Sequence, residues 1–277
     1  MQLIHETLTT PLSSDAVLDG YIRDASANIE PNRKRIAVII CPGGAYSFVA
    51  DREAEPVALA LLARGQQAFV LHYSVGPARP FPTALLELAA AVRLVRTRAA
   101  EWAIDPDKII VAGFSAGGHL AASLADFWHT PALVDHVFSP ADVQPNGLML
   151  AYPVITSGPH AHRGSFRNLL GDQPTPDQLE AVSLEKHVSA QNPPTFLWST
   201  FADDAVPVEN SLLYAQALHA AGVSCECHLF PEGRHGLSLA DRETWDAAHS
   251  DGIVPAVAAW FELFQTWLKR YDDGVVG

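Results

Sequence analysis

One stretch, Lys108 to Ser123 (KIIVAGFSAGGHLAAS), constrains this chain more than any other. Ile109, Ile110, Val111 and Ala112 form a short apolar, largely β-branched run, the kind that makes a strand buried on both faces. Gly113-Phe114-Ser115-Ala116-Gly117 follows, and Gly118 to Ser123 is small and helix-compatible. Strand, tight Gly-x-Ser-x-Gly turn and helix together make a nucleophile elbow, in which the serine is held in a strained turn with its hydroxyl projecting from the carboxyl edge of a sheet. Glycine is expected on both sides because a Cβ there would collide with the neighbouring strand or helix. The helix that starts at once after Ser115 aims its free N–H groups and positive dipole end at any oxyanion formed there.

The rest of the chain supplies the sheet such an elbow needs. Strands are expected at about Leu3 to Leu8, Ala16 to Tyr21, Arg35 to Cys41, Gln67 to Tyr73, Asn146 to Tyr152, Thr195 to Thr200 and Cys225 to Phe230. Between them, Arg52 to Arg64 reads as a helix stopped by Gly65, and Thr83 opens a long one with Leu85, Leu88, Val92, Val95, Ala99 and Trp102 at helical spacing. Asp105-Pro106-Asp107 reads as a turn into the elbow strand. Val208 to Ala221 and Ile253 to Lys269 are expected as later helices. The alternation predicts an α/β chain, a mostly parallel central sheet with helices on both faces, as one domain over residues 1–277. Residues 153–194 break the rhythm, rich in Pro, Gly, His and Ser, with only a short amphipathic piece around Pro176 to Leu184. A long irregular insertion of this kind is expected to be a short cap or binding loop.

A net charge of −13 makes nucleic acid and anionic membrane surfaces poor partners. The N-terminus lacks the basic and apolar regions of a signal peptide, and no apolar run approaches membrane-spanning length. Three cysteines, with Cys225 and Cys227 alternating on one strand, suit neither a disulfide framework nor a zinc site. The expectation is a reduced, cytoplasmic protein without metal or cofactor; its oligomeric state is left open, a homodimer included.

A serine hydroxyl near neutrality needs an adjacent base, itself oriented by an acid. In an elbow fold these follow in the order serine, acid, histidine, each after a later strand. Asp203 and Asp204 follow the strand ending at Thr200, and His235 follows the strand ending at Phe230. Ahead of the elbow, Pro42-Gly43-Gly44-Ala45 sits in a strand-to-helix loop where oxyanion donors belong.

With these pieces in place the chain resembles an α/β-hydrolase of the carboxylesterase/lipase type, specifically the bacterial acetyl-xylan-esterase-like proteins. The matching runs are CPGGAYSFVADREAEPVA, GFSAGGHLAA, FLWSTFADDAVPVENSLLYA and FPEGRHGLSLA. The resemblance implies an α/β-hydrolase fold and hydrolysis of short acyl esters, acetylated sugars included, through a Ser-His-Asp triad. It selects Asp203, four residues before the proline of Val-Pro, over Asp204. Ser115, Asp203 and His235 are thus the expected catalytic residues, and Gly44, Ala45 and Ala116 the expected oxyanion donors. Two departures are Ala45, where a third glycine is common, and Ser199-Thr200, where relatives often carry a histidine. The same machinery would serve an arylformamidase or small peptidase; a binding module would be expected to have lost a triad residue.

Among the remaining candidates, Tyr46 either lines the acyl pocket or packs, and Arg163 and Phe166 of the insertion are expected to touch substrate. His119 is expected beneath the site and His228 as structural. His160 and His162 form a His-x-His without the acidic or thiol partners a metal would need.

Overall fold

The computed structural model describes residues 1–134, 138–248 and 250–272. Its strands are β1 (Gln2–Leu8), β2 (Ala16–Ile22), β3 (Arg35–Cys41), β4 (Gln67–His72), β5 (Ile104–Phe114), β6 (Gly147–Ala151), β7 (Thr195–Thr200) and β8 (Cys225–Phe230). They form a sheet in the order β1-β2-β4-β3-β5-β6-β7-β8. Only β1 and β2 run antiparallel to their neighbours; from β4 to β8 every pairing is parallel. The elbow strand lies near the middle, so the loops after β3, β5, β7 and β8 all open on one edge.

Side-chain alternation explains why the sheet is covered twice. Ala37, Ile39, Val111, Leu148, Leu150 and Leu197 face one core, with α2 (Thr83–Thr97) and α3 (Ser115–Phe127) packed on it. Val38, Ile40, Ile110, Met149, Phe196 and Trp198 face the other, with α1 (Glu55–Arg64) and the C-terminal helix. The central strands therefore carry unbroken apolar runs, Ile36 to Cys41 in β3 and Ile109 to Ala112 in β5, because both sets of alternate residues are buried there.

Three local readings change. Asp105-Pro106-Asp107 is no turn: it belongs to β5, whose register against β3 jumps from Arg35↔Ile104 to Ala37↔Ile109, so the extra residues form a bulge. The helix expected from Arg52 is divided by Ala54 (φ −102°, ψ −109°) into a 3₁₀ turn, Asp51–Glu53, and α1. The closing helix likewise falls into α9 (Pro255–Ala258) and α10 (Trp260–Asp272), meeting at Ala259. Short helices α4 (Pro131–Val134) and α5 (Pro140–Val143) lie between α3 and β6, and α8 (Glu209–Ala220) joins β7 to β8. All three cysteines are free.

Residues 153–194 hold more structure than their composition suggests: α6 (Arg163–Leu170), α7 (Pro176–Ala181) and a 3₁₀ turn, Leu184–Lys186. Val154, Phe166, Val182 and Val206 make a small apolar cluster of their own. The segment is tied to the elbow: Val154 N donates to the Ser115 carbonyl (3.0 Å), and His119 Nε2 to the Val182 carbonyl (2.9 Å). Among the described residues no helix is long and apolar enough to cross a membrane.

Candidate active site

Ser115 is the first residue of α3 and sits at φ +52°, a left-handed conformation that costs an L-residue roughly 1–2 kcal/mol. The packing around it shows why the turn is glycine-flanked. A Cβ on Gly117 would lie 2.0 Å from the Cys41 carbonyl oxygen, and one on Gly113 would lie 2.3 Å from that of Gly117. Elbow, β3 and α3 therefore touch backbone to backbone, and the serine hydroxyl is turned out at the strand's carboxyl end.

His235 and Asp203 come to it from the loops after β8 and β7. Ser115 Oγ and His235 Nε2 are 2.7 Å apart, and His235 Nδ1 and Asp203 Oδ2 are 2.8 Å apart. A carboxylate can only accept, so Nδ1 carries the proton and Nε2 is left to accept from the serine. The other oxygen of Asp203 accepts from Ala205 N (2.9 Å) and Val206 N (2.8 Å), and the side chain is 1% exposed. Asp204 is exposed and accepts from the backbone N–H of His235 (3.2 Å). Thr200 Oγ1 donates to the Gly233 carbonyl (2.7 Å), so this departure from the family pattern ties the acid and histidine loops together.

Gly44, Ala45 and Tyr46 follow one another at φ +123°, +55° and +55°, a sharp turn in the loop after β3. Gly44 and Ala45 line the same cavity as Ser115 and His235, and Ala116 stands at the N-terminus of α3. The loop is held from outside: Tyr73 Oη donates to the Pro42 carbonyl (2.7 Å), and Asn168 Nδ2 of α6 donates to the Ala45 carbonyl (2.8 Å).

The cavity measures about 580 Å³. Much of its wall was not legible in the sequence. The segment 243–248 contributes Trp245 and Asp246, and His162 borders it from the insertion. Arg52 and Arg234 each reach the same oxygen of the nearly buried Asp246 at 3.0 Å. Arg242 lies over the Trp245 ring at 4.6 Å.

Other expected residues fall elsewhere. Tyr46 is buried and packs under the loop, its hydroxyl donating to His119 Nδ1 (2.9 Å). His119 is buried, and desolvation pushes its pKa down to about 4, so it is a neutral structural link. Arg163 and Phe166 do not reach the Ser115 cavity. They border a separate one of about 330 Å³ with Arg167, Asp172 and Leu179. The reason is helical phase: Phe166 and Leu169 turn into the core, Phe166 edge-on to His119 (5.5 Å), and Arg163 is carried outward. His160 stands 3.8 Å from Glu209, and His162 caps α6 through Ser165.

Sheet order, elbow and the meeting of serine, histidine and aspartate define an α/β-hydrolase. Residues 27–218 match the BD-FAE family, and the chain belongs to it. It is 40% identical over 215 residues to endo-1,4-beta-xylanase B of Butyrivibrio fibrisolvens, a match covering 76% of this chain and 34% of that protein. It is 30% identical over 233 residues to an acetylxylan esterase of Xylanibacter ruminicola, covering 82% and 45%. The chain thus spans about a third to a half of the length of these curated relatives. Among solved structures it is similar to the acetyl ester-xyloside bifunctional hydrolase from Caldicellulosiruptor lactoaceticus (38% identity, TM-score 0.81, covering 97% of this chain and 93% of that one). The carboxylesterase Cest-2923 from Lactobacillus plantarum superimposes with TM-score 0.87 at 28% identity, covering 100% and 99%.

Proposed function

We propose that this carboxylic ester hydrolase cleaves short acyl esters, acetylated sugars among them, through an acyl-enzyme on Ser115. The observation that carries the reading is the hydrogen-bonded line Ser115–His235–Asp203, at 2.7 and 2.8 Å, at the edge of a cavity bordered by Gly44 and Ala45. Ser115 Oγ attacks the ester carbonyl while His235 Nε2 takes its proton; Asp203 holds the tautomer and stabilises the imidazolium. The amides of Gly44, Ala45 and Ala116 bind the oxyanion, where each such donor is worth roughly 10²–10³ in rate. His235 then gives its proton to the departing alcohol; water, losing a proton to His235, attacks the acyl carbon, and His235 returns that proton to Ser115 Oγ as the acid leaves. The acetylxylan esterase and the acetyl ester-xyloside bifunctional hydrolase among the relatives support a sugar acetate as substrate. So does the lining of the cavity, which includes Trp245 together with Arg52 and Arg234.

The test pairs two measurements. A fluorophosphonate is expected to label Ser115 alone, and Ser115→Ala to lower kcat by roughly 10⁶-fold. Esters from acetate to octanoate, with acetylated xylo-oligosaccharides alongside, are expected to favour acetate and propionate. Activity retained in Ser115→Ala, or kcat/KM rising steadily with chain length, refutes the corresponding half of the reading.

A further inference from the structure

Glu53 stands in the 3₁₀ turn between the oxyanion loop and α1, a place where a charged side chain is expected to face water. Instead it is 3% exposed and turned inward. Its Oε2 accepts from the backbone N–H of Gly43 (2.6 Å) and its Oε1 from the hydroxyl of Tyr152 (2.8 Å). The Tyr152 oxygen in turn accepts from the backbone N–H of Ser238 (2.9 Å), which fixes its proton toward Glu53. The Tyr152 ring also meets the His235 imidazole edge-on, centroids 5.0 Å apart. A second link joins the same parts, because Ser238 Oγ donates to the Arg52 carbonyl (2.7 Å).

We infer that Glu53 is a positioning residue for the hydrolysis: as an anion it fixes the oxyanion loop and the chain after His235 relative to one another, and it favours the charged imidazole that forms during the reaction. The inference rests on the triad reading above. Burial alone would make an ionised carboxyl costly and pushes its pKa up, against which two donors and the charges of His235 and Arg52 act. Both carboxyl oxygens face donors, so the geometry accommodates the carboxylate. The titratable and charged groups that face it are Tyr152 and Tyr73, His235 and Arg52, the last also paired with Asp246. Glu53 Oε1 lies 4.0 Å from where a Cβ on Gly236 would stand, so the carboxylate is next to the histidine loop itself. Glu53 borders the cavity, but both of its oxygens are engaged, by Gly43 N–H and the Tyr152 hydroxyl, so it acts through them.

Glu53→Gln keeps shape but loses the charge and one of two acceptors, leaving either Gly43 N or Tyr152 Oη against an NH₂ group. Rates are counted per fluorophosphonate-titrated site, so unfolded protein does not enter them. The expected result is kcat lower by roughly 10- to 100-fold with KM within about twofold, as for a misplaced catalytic geometry. Tyr152→Phe breaks the link to Ser238 but keeps the charge, and kcat falls again with KM within about twofold. A wild-type kcat per site in Glu53→Gln, or a KM that rises as much as kcat falls, overturns the inference. Failure of the wild-type protein to label at Ser115 would instead sink the triad reading on which it stands.

Discussion

Replacing Asp203 by asparagine isolates what the acid does. In the native site Oδ1 of Asp203 takes two backbone N–H groups, from Ala205 and Val206, and Oδ2 takes Nδ1–H of His235. An asparagine has one oxygen, and it goes where two donors wait. Its NH₂ then faces Nδ1, which must accept, so the imidazole proton moves to Nε2 and points at Ser115 Oγ. A base that already carries its proton cannot take another. The opposite flip restores the tautomer but sets the NH₂ against both backbone donors. At about 1–3 kcal/mol per unsatisfied group, that flip costs roughly 2–6 kcal/mol. The productive arrangement is then populated at between about 1 in 30 and about 1 in 3 × 10⁴. The upper end meets the ~10⁴-fold loss that a wrong tautomer brings to a serine triad. Asp203→Asn should therefore lower kcat for p-nitrophenyl acetate by about 10³- to 10⁴-fold with an unchanged far-UV spectrum. Asp204→Asn retains an acceptor for His235 N and should stay within about threefold of the parent. An Asp203→Asn enzyme within tenfold of wild type, or an equal loss at Asp204, would refute the reasoning.

Two further perturbations address the frame. Gly117→Ala places a Cβ 2.0 Å from the Cys41 carbonyl and 2.4 Å from that of Pro42, both backbone atoms, so it should cost about 3 kcal/mol or more in urea unfolding, or prevent folding; a soluble variant of unchanged midpoint contradicts the close approach. His119, held neutral in the fold with a pKa of about 4, binds fewer protons folded than unfolded between pH 4 and 6.5. Its contribution is thus complete above about pH 6.5 and lost as pH falls toward 4, amounting to about 3 kcal/mol. His119→Gln should show a correspondingly smaller drop in unfolding free energy between pH 7 and 4.5; equal slopes in variant and parent would show that burial of this imidazole is not what the acid limb reports.

The parts most legible in the sequence were those governed by local pattern. β3, β7 and β8 begin and end where their apolar runs and flanking polar residues say they should, and the serine, aspartate and histidine could be placed because each follows such a strand. What escaped depends on contacts distant in sequence. Helix α6 is only eight residues, and its N-cap is His162, outside the Ser/Thr/Asp/Asn group that marks helix starts. Its Phe166 and Leu169 spacing was the available signal, and it also shows why Arg163 points away from the serine. Glu53 reads as surface because nothing in its neighbourhood announces the Gly43 amide or the Tyr152 hydroxyl. The cavity wall at Trp245 and Asp246 follows no strand and no motif, and is located only by where Arg52 and Arg234 end.

The separation of these partners along the chain has a kinetic consequence. His235 meets Ser115 across 120 residues, Glu53 meets Tyr152 across 99, and Arg52 meets Asp246 across 194. Contacts of such span close late, after helices and neighbouring strands have formed. In particular, the imidazole is delivered by the loop after β8, the edge strand farthest from β1. Until that strand seats against β7, Ser115 is an alcohol like any other on the chain. A refolding population should therefore regain its helical signal before it regains turnover, and a nascent molecule stays chemically silent until the sheet is finished.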